Sequence, residues 1–223
     1  MKKTIYDVIL FDLDGTLTDP GEGITNAVAH ALKHYGIEVE DRTCLYPFIG
    51  PPLDESFMKY YGFSKEQALE AITFYREYFQ PIGIFENVVY PGIPEMLDAC
   101  KKAGRILAVA SSKPEPFVRT ILDHFGLADY FTYAGGSNLN ETRTKKAEVI
   151  DYVLKELGSP AKDMVLMVGD RSHDVAGAKL NGLPCAGVLY GYGDEPELAG
   201  AGAAYILPTV EALREAILGG FDA

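Results

Sequence analysis

Five short apolar runs, separated by segments of helical spacing, constrain this chain more than anything else in it. They are Thr4–Phe11 (continuous from Val8), Ile106–Ala110, Tyr130–Ala134, Met164–Val168 and Cys185–Val188. A continuous apolar run of this length suits a strand covered on both faces. Between the runs, Ile93, Met96, Leu97 and Cys100 share one helical face, as do Val118, Ile121, Leu122 and Phe125, and again Ile150, Val153, Leu154 and Leu157; a further helix is expected over His173–Asn181. Strand and helix in alternation imply a parallel sheet with helices on both sides. The stretch from Asp19 to Phe85 breaks the alternation. Asp19-Pro20 is a helix start, Ile24, Ala27, Val28, Ala31, Leu32 and Tyr35 follow at helical spacing, and Gly36 stops them. A short helix is expected over Leu53–Tyr61, and Ser64-Lys65-Glu66-Gln67 is a capping box opening another. The expected fold class is therefore α/β, with an all-helical domain, residues 18–88, inserted into a core made of residues 1–17 and 89–223.

Three polar clusters stand at the C-terminal ends of expected strands, the edge at which open parallel sheets bind ligands. The first is Asp12-Leu13-Asp14-Gly15-Thr16. Residues two apart on a strand share a face at roughly 6–7 Å, and two carboxylates so placed repel unless a cation sits nearby. Hard oxygen ligands suit magnesium; one carboxylate can serve as nucleophile and the other as proton donor. Two solvated aspartates are the plain alternative. The second is Ala110-Ser111-Ser112-Lys113-Pro114, where hydroxyls and amides entering a helix make a small anion site, or where one serine merely caps the helix. The third is Gly169-Asp170-Arg171-Ser172-His173-Asp174. Gly169 permits close backbone approach, Asp174 can accept from amides or support a metal, His173 reads as exposed, and Arg171 as a surface or loop-bracing charge. Lys145 and Lys146, ahead of a helix, could each turn a positive charge into the site.

These residues resemble the haloacid dehalogenase-like superfamily, in its phosphoglycolate phosphatase-like branch. Asp12-Leu13-Asp14-Gly15-Thr16-Leu17 is similar to its first motif, Ser111 to the second, Lys146 (with Lys145 as fallback) to the third, and Gly169-Asp170-x-x-x-Asp174 to the fourth. The resemblance implies a Rossmann-like three-layer core with a helical cap. It implies Asp12 as nucleophile and metal ligand, and Asp14 as general acid and base whose main-chain carbonyl also meets the metal. Ser111, with Ser112 beside it, and Lys146 would hold the phosphoryl oxygens; Asp170 would bind Mg2+ and Asp174 support it. The implied reaction is hydrolysis of small phosphomonoesters, phosphoglycolate phosphatase-like or 5'-nucleotidase-like. A phosphomutase and a non-catalytic binding module are the rivals. The segment Phe48-Ile49-Gly50-Pro51-Pro52-Leu53 resembles the family's specificity loop, with Pro51 where many relatives carry a basic residue. Phe48, Phe57, Tyr60 and Tyr61 could stack on a nucleobase or form the inserted domain's own core; Arg42, Lys59 and Arg76 are its other candidate contacts.

Composition sets the remaining bounds. A net charge of −12 argues against a nucleic-acid polymer as partner but allows a small phosphorylated metabolite beside a divalent cation. No apolar run is long enough to span a membrane, and Asp7, Asp12 and Asp14 interrupt any signal-peptide core. Three cysteines, an odd number without a Cys-x-x-Cys pair, suit reduced thiols and a cytoplasmic location. The oligomeric state is left between monomer and homodimer.

Overall fold

Strand β1 (Val8–Phe11) is buried along its whole length because it is paired on both sides. On one side it runs parallel to β2 (Ile106–Pro114), with Val8 level with Ile106 and Phe11 with Val109. On the other it runs parallel to β4 (Val165–Gly169), with Phe11 level with Val168. In this computed structural model, which describes residues 3–140 and 142–222, β3 (Tyr133–Ser137) lies outside β2, and β5 (Cys185–Val188) and β6 (Tyr205–Leu207) continue beyond β4. The six-stranded sheet has the order β3-β2-β1-β4-β5-β6, and neighbouring strands in it run parallel.

The chain divides into two units, Met1–Thr18 with Val89–Ala223, and Asp19–Val88. In the first, alternate strand residues point to opposite faces of the sheet. Val8, Leu10, Ala108, Ala110, Val165 and Met167 form one buried cluster with Val149, Ile150 and Val153 of α6 (Lys146–Glu156) and Val175 and Ala178 of α7 (Ser172–Leu180). Ile9, Phe11, Leu107, Val109, Leu166 and Val168 take the other face and are as fully buried. Outside the first cluster, α4 (Ile93–Lys102) and α9 (Val210–Gly219) pack together. A short pair, Lys3–Thr4 with Phe221–Asp222, is antiparallel.

The expected sheet stops one strand early: a final strand at Cys185–Val188 is followed here by α8 (Glu195–Ala201), β6 and α9. The segment Gly191–Ala204 carries too few large apolar residues for a periodic signal, and β6 is only half-buried. The first run is also shorter than expected, since Lys3–Thr4 belongs to the antiparallel pair and not to the central sheet.

The second unit holds α1 (Gly21–Lys33), α2 (Leu53–Tyr61) and α3 (Lys65–Tyr78), with a 3₁₀ stretch at Arg42–Phe48 between α1 and α2. Asp19 Oδ1 accepts from the Gly21 amide at 2.9 Å, so the start expected from Asp19-Pro20 is made one residue later, with Pro20 as N-cap. The Ser64 box is complete: Ser64 Oγ accepts from Gln67 N at 3.2 Å and Gln67 Oε1 from Ser64 N at 2.9 Å. Phe48 and Phe57 meet edge to face at 5.1 Å in its interior. No helix among the described residues is long and apolar enough to cross a membrane.

The α1 packing leaves no room at Gly23. A Cβ there would lie 1.9 Å from the Gly83 carbonyl oxygen, and the Gly23 amide donates to Glu86 O at 3.0 Å. Gly23→Ala should therefore destabilise the chain by about 3 kcal/mol or more, read as a fall in the denaturant midpoint at unchanged m; an unchanged midpoint would show that the α1 contact yields freely.

Candidate active site

The parallel register sets Phe11 level with Val109 and Val168, and the polar residues that come after these three positions converge. Asp12, the first residue past β1, donates its amide to Val168 O at 2.9 Å. The chain then turns tightly: Leu17 N and Thr18 N both donate to Leu13 O, and Gly15 N to Thr18 O at 2.7 Å. Gly15 has φ +81° and backs onto Asp170 so closely that a Cβ would stand 2.1 Å from Asp170 Oδ2. A Cβ at Gly169 would collide with the Asp174 carboxylate in the same way, which accounts for that glycine.

Lys146 sits at the centre. It is the first residue of α6, is buried, and its Nζ lies 2.7 Å from Asp12 Oδ1 and 2.8 Å from Asp174 Oδ1 and donates to Ala110 O at 3.1 Å. Lys145, the N-cap, is exposed; of the two lysines, only Lys146 reaches the carboxylates. Burial would pull the Lys146 ammonium down, but Asp12 and Asp174 outweigh it and hold the group above the ordinary lysine range.

Asp12, Asp170 and Asp174 each bring a carboxylate oxygen to within 4.8 Å of the others, all three side chains buried. Asp170 Oδ2 accepts from Tyr192 N at 2.8 Å and Oδ1 from Thr16 Oγ1 at 3.3 Å. Asp174 Oδ2 accepts from Arg171 N at 3.0 Å, anchoring it in the first turn of α7. Desolvation and the neighbouring carboxylates push Asp170 well above the usual range; desolvation lifts Asp174 to about 6 against the pull of Lys146. Buried hard oxygens that repel one another are a donor set suited to a divalent cation, and the residues fit one.

Asp14 faces elsewhere. Its Oδ2 pairs with Lys113 Nζ at 2.5 Å, both side chains buried, and its Oδ1 is shielded without a hydrogen-bond partner. Burial raises the Asp14 pKa, with Lys113 opposing. Its side chain therefore stands outside the carboxylate cluster, and any metal contact falls to its main chain. Lys113 is the residue that sequence reasoning passed over. The expected strand ended at Ala110, whereas β2 runs on to Pro114, with a register shift against β3 between Ala110 and Pro114. Burial alternates along this extension, so Ser111 and Lys113 share the inner face and Ser112 is half-buried on the other. Ser111 Oγ accepts from Lys113 N at 3.3 Å. No serine side chain caps α5 (Glu115–His124). The period-2 placement of Lys113 after Ser111 was the signal available. Arg171 Nε pairs with Glu197 at 3.0 Å, the bracing role expected of it, and His173 is exposed on α7.

Folding raises the Asp170 and Asp174 pKa values, so with the cation chelated the folded chain holds protons that the unfolded chain sheds above about pH 4. The Asp174 share of the cluster's stability is then present below that pH and lost as pH rises through about 6, and the Asp170 share has the same sign. In chelator, Asp170→Asn should raise the melting temperature by a few degrees at neutral pH, the gain shrinking towards pH 4. A gain independent of pH, or a loss, would contradict the repulsion.

The family model described as haloacid dehalogenase-like hydrolase matches residues 9–188. A 5'-nucleotidase of Pseudomonas aeruginosa is 47% identical over 212 residues, covering 95% of this chain and 96% of the relative. The tyrosine-protein kinase PtkA of Mycobacterium tuberculosis is 37% identical over 212 residues, covering 94% of this chain and 72% of that protein. The crystal structure of a predicted phosphatase from Clostridium acetobutylicum superposes with a TM-score of 0.94 at 48% identity, covering 97% of this chain and all of that one.

Proposed function

The chain belongs to the haloacid dehalogenase-like hydrolase family and is a phosphoric monoester hydrolase, and we propose that it acts with Mg2+ through an aspartyl phosphate formed on Asp12. One juxtaposition carries the reading: Asp12, at the end of a fully buried strand, faces a buried lysine at 2.7 Å and shares its surroundings with Asp170 and Asp174. A carboxylate with no chemical task would rarely be buried in such company.

The Asp12 carboxylate attacks the substrate phosphorus, and the bond from phosphorus to the ester oxygen breaks. The leaving alkoxide takes the proton of Asp14, whose burial favours the protonated form needed for that donation. Asp14, now a carboxylate and steadied by Lys113 Nζ, accepts a proton from water. That water attacks the aspartyl phosphate, releasing phosphate and restoring Asp12. The Ser111 hydroxyl donates to a phosphoryl oxygen, and Lys146 neutralises the charge that collects there. Ser112 contributes its main chain at most, since its side chain takes the other face. Asp12, Asp170 and the Asp14 main-chain carbonyl would hold Mg2+, which when bound supplies positive charge to the phosphoryl oxygens; Asp174 holds Lys146 in line.

The substrate class we favour is a nucleoside 5'-monophosphate. The support is the 5'-nucleotidase with which the chain shares 47% of its residues over nearly its whole length, together with Pro51, which offers no charge to a substrate carboxylate such as that of phosphoglycolate. Of the four aromatic candidates, Phe48 and Phe57 are interior to the helical unit, whereas Tyr60 keeps 43% of its surface exposed.

Phosphate release should be measured with magnesium over nucleoside monophosphates, phosphoglycolate and sugar phosphates. Selective release from nucleotides is expected, and Asp12→Asn should lower it by about a thousandfold or more with no phosphoenzyme formed. Release retained in that variant would exclude Asp12 as nucleophile. Release confined to phosphoglycolate would overturn the substrate class, and bisphosphate-primed isomerisation without phosphate release would indicate a mutase. Phosphate transfer from ATP to a tyrosine-containing acceptor, run in parallel, separates the activity that PtkA is named for.

Lys113→Met should lower kcat by about tenfold to a hundredfold, through Asp14, with a smaller change in KM. A rise in KM at constant kcat would make Lys113 a substrate-binding residue instead.

A further inference from the structure

Outside the aspartate cluster, the described residues bring one other metal-ligating group together, and it lies wholly within the helical unit. His30 on α1 and His34, the residue that caps α1 with helical φ −64° and ψ −22°, are four apart and so lie on one helix face. Glu77, near the end of α3, comes up to both. Its Oε2 is 3.6 Å from His30 Nε2 and 3.9 Å from His34 Nε2. All three ligand atoms lie within 4.8 Å of one another.

These separations are too long for hydrogen bonds. They are close to the ~3.4 Å that separates neighbouring ligand atoms around a tetrahedral ion with bonds of about 2.0–2.1 Å. His30 Nε2 is shielded from solvent yet has no hydrogen-bond partner, which is unusual for a polar atom so placed. The rings are already held. His34 stacks on Phe74 with centroids 3.8 Å apart and planes 4° from parallel; His30 packs edge-on to His34 at 5.3 Å and lies 5.8 Å from the Tyr78 ring. Access remains, because His34 and Glu77 are partly exposed and a cleft of about 400 Å³, lined by His30, Asn26 and Tyr78 among others, opens beside them.

We propose that His30, His34 and Glu77 form a zinc site that clamps α1 to α3, separate in its ligands and its chemistry from the aspartate cluster. Two imidazoles and one carboxylate suit Zn2+ and similar ions and are poor ligands for Mg2+, which takes oxygen donors. Water completes the coordination on the open side. Because the ligands come from two helices, binding holds those helices together and stabilises the folded chain by an amount that grows with the logarithm of ion concentration.

Zinc chloride is titrated calorimetrically into the full, tag-free chain in millimolar magnesium, and melting temperatures are followed in parallel. A binding event is expected that raises the melting temperature and persists in Asp12→Asn. It should weaken by more than the about tenfold that losing an outer partner of a ligand costs, both in His30→Gln and in Glu77→Gln. The glutamine variants keep the His34–Phe74 stack, so metal-free melting near the wild-type value will show that they are folded. Cobalt substituted for zinc should give visible bands of nitrogen-bound tetrahedral ion that vanish in His30→Gln. No zinc binding, binding as tight as wild type in either glutamine variant, or loss of the event in Asp12→Asn would each overturn the site.

Discussion

A single ammonium group holds the functional end of the sheet together. Lys146 Nζ touches the carboxylate that follows β1, a carbonyl of β2 and the carboxylate in the first turn of α7. Three buried aspartates within 4.8 Å of one another would repel strongly without it. Removing one partner of a buried ion pair costs about 3–5 kcal/mol, because the other is left uncompensated. Lys146 therefore makes the cluster tolerable in the fold, and in the proposed reaction it is the charge that meets the phosphoryl group.

A second buried pair, Lys113–Asp14, divides the two aspartates of the first motif. They are two residues apart, yet Asp12 joins the cluster and Asp14 turns to a different cation. Each has its own charge partner, Lys146 for Asp12 and Lys113 for Asp14, and burial raises the Asp14 pKa; distinct environments of this kind let two carboxylates take different parts in the proposed acid–base chemistry. The tight turn after Leu13 makes the divergence possible, since Gly15 adopts a positive φ and leaves space for Asp170 that a side chain would fill.

The helical unit follows a different logic. Phe48, Phe57 and Phe79 are buried in it: Phe57 stacks with Phe63 at 5.7 Å and meets Phe48 at 5.1 Å. Aromatic spacing in the sequence admitted both a core and a stacking surface, because each calls for the same residues at the same period. Burial separates them, leaving Phe48 and Phe57 inside and Tyr60 with open surface. The edge of the sheet beyond β5 was illegible for the opposite reason. Small residues from Gly191 to Ala204 carry little periodic signal, although α8 forms there and sends Leu198 into the core cluster.

The sequence by itself determined the alternation of strands and helices, the inserted helical stretch, and the placing of Asp12, Ser111 and Asp170 directly after apolar runs. These are local consequences of periodicity and of where polar residues interrupt it. Only the tertiary structure decided between Lys145 and Lys146, extended β2 so that Lys113 and not Ser112 joins Ser111, and set Glu77 beside His30 and His34. Each of those outcomes depends on which side chain is enclosed when distant elements pack. Neighbouring residues of like type carry no sign of that difference in one dimension, because burial and charge partners are properties of the assembled chain.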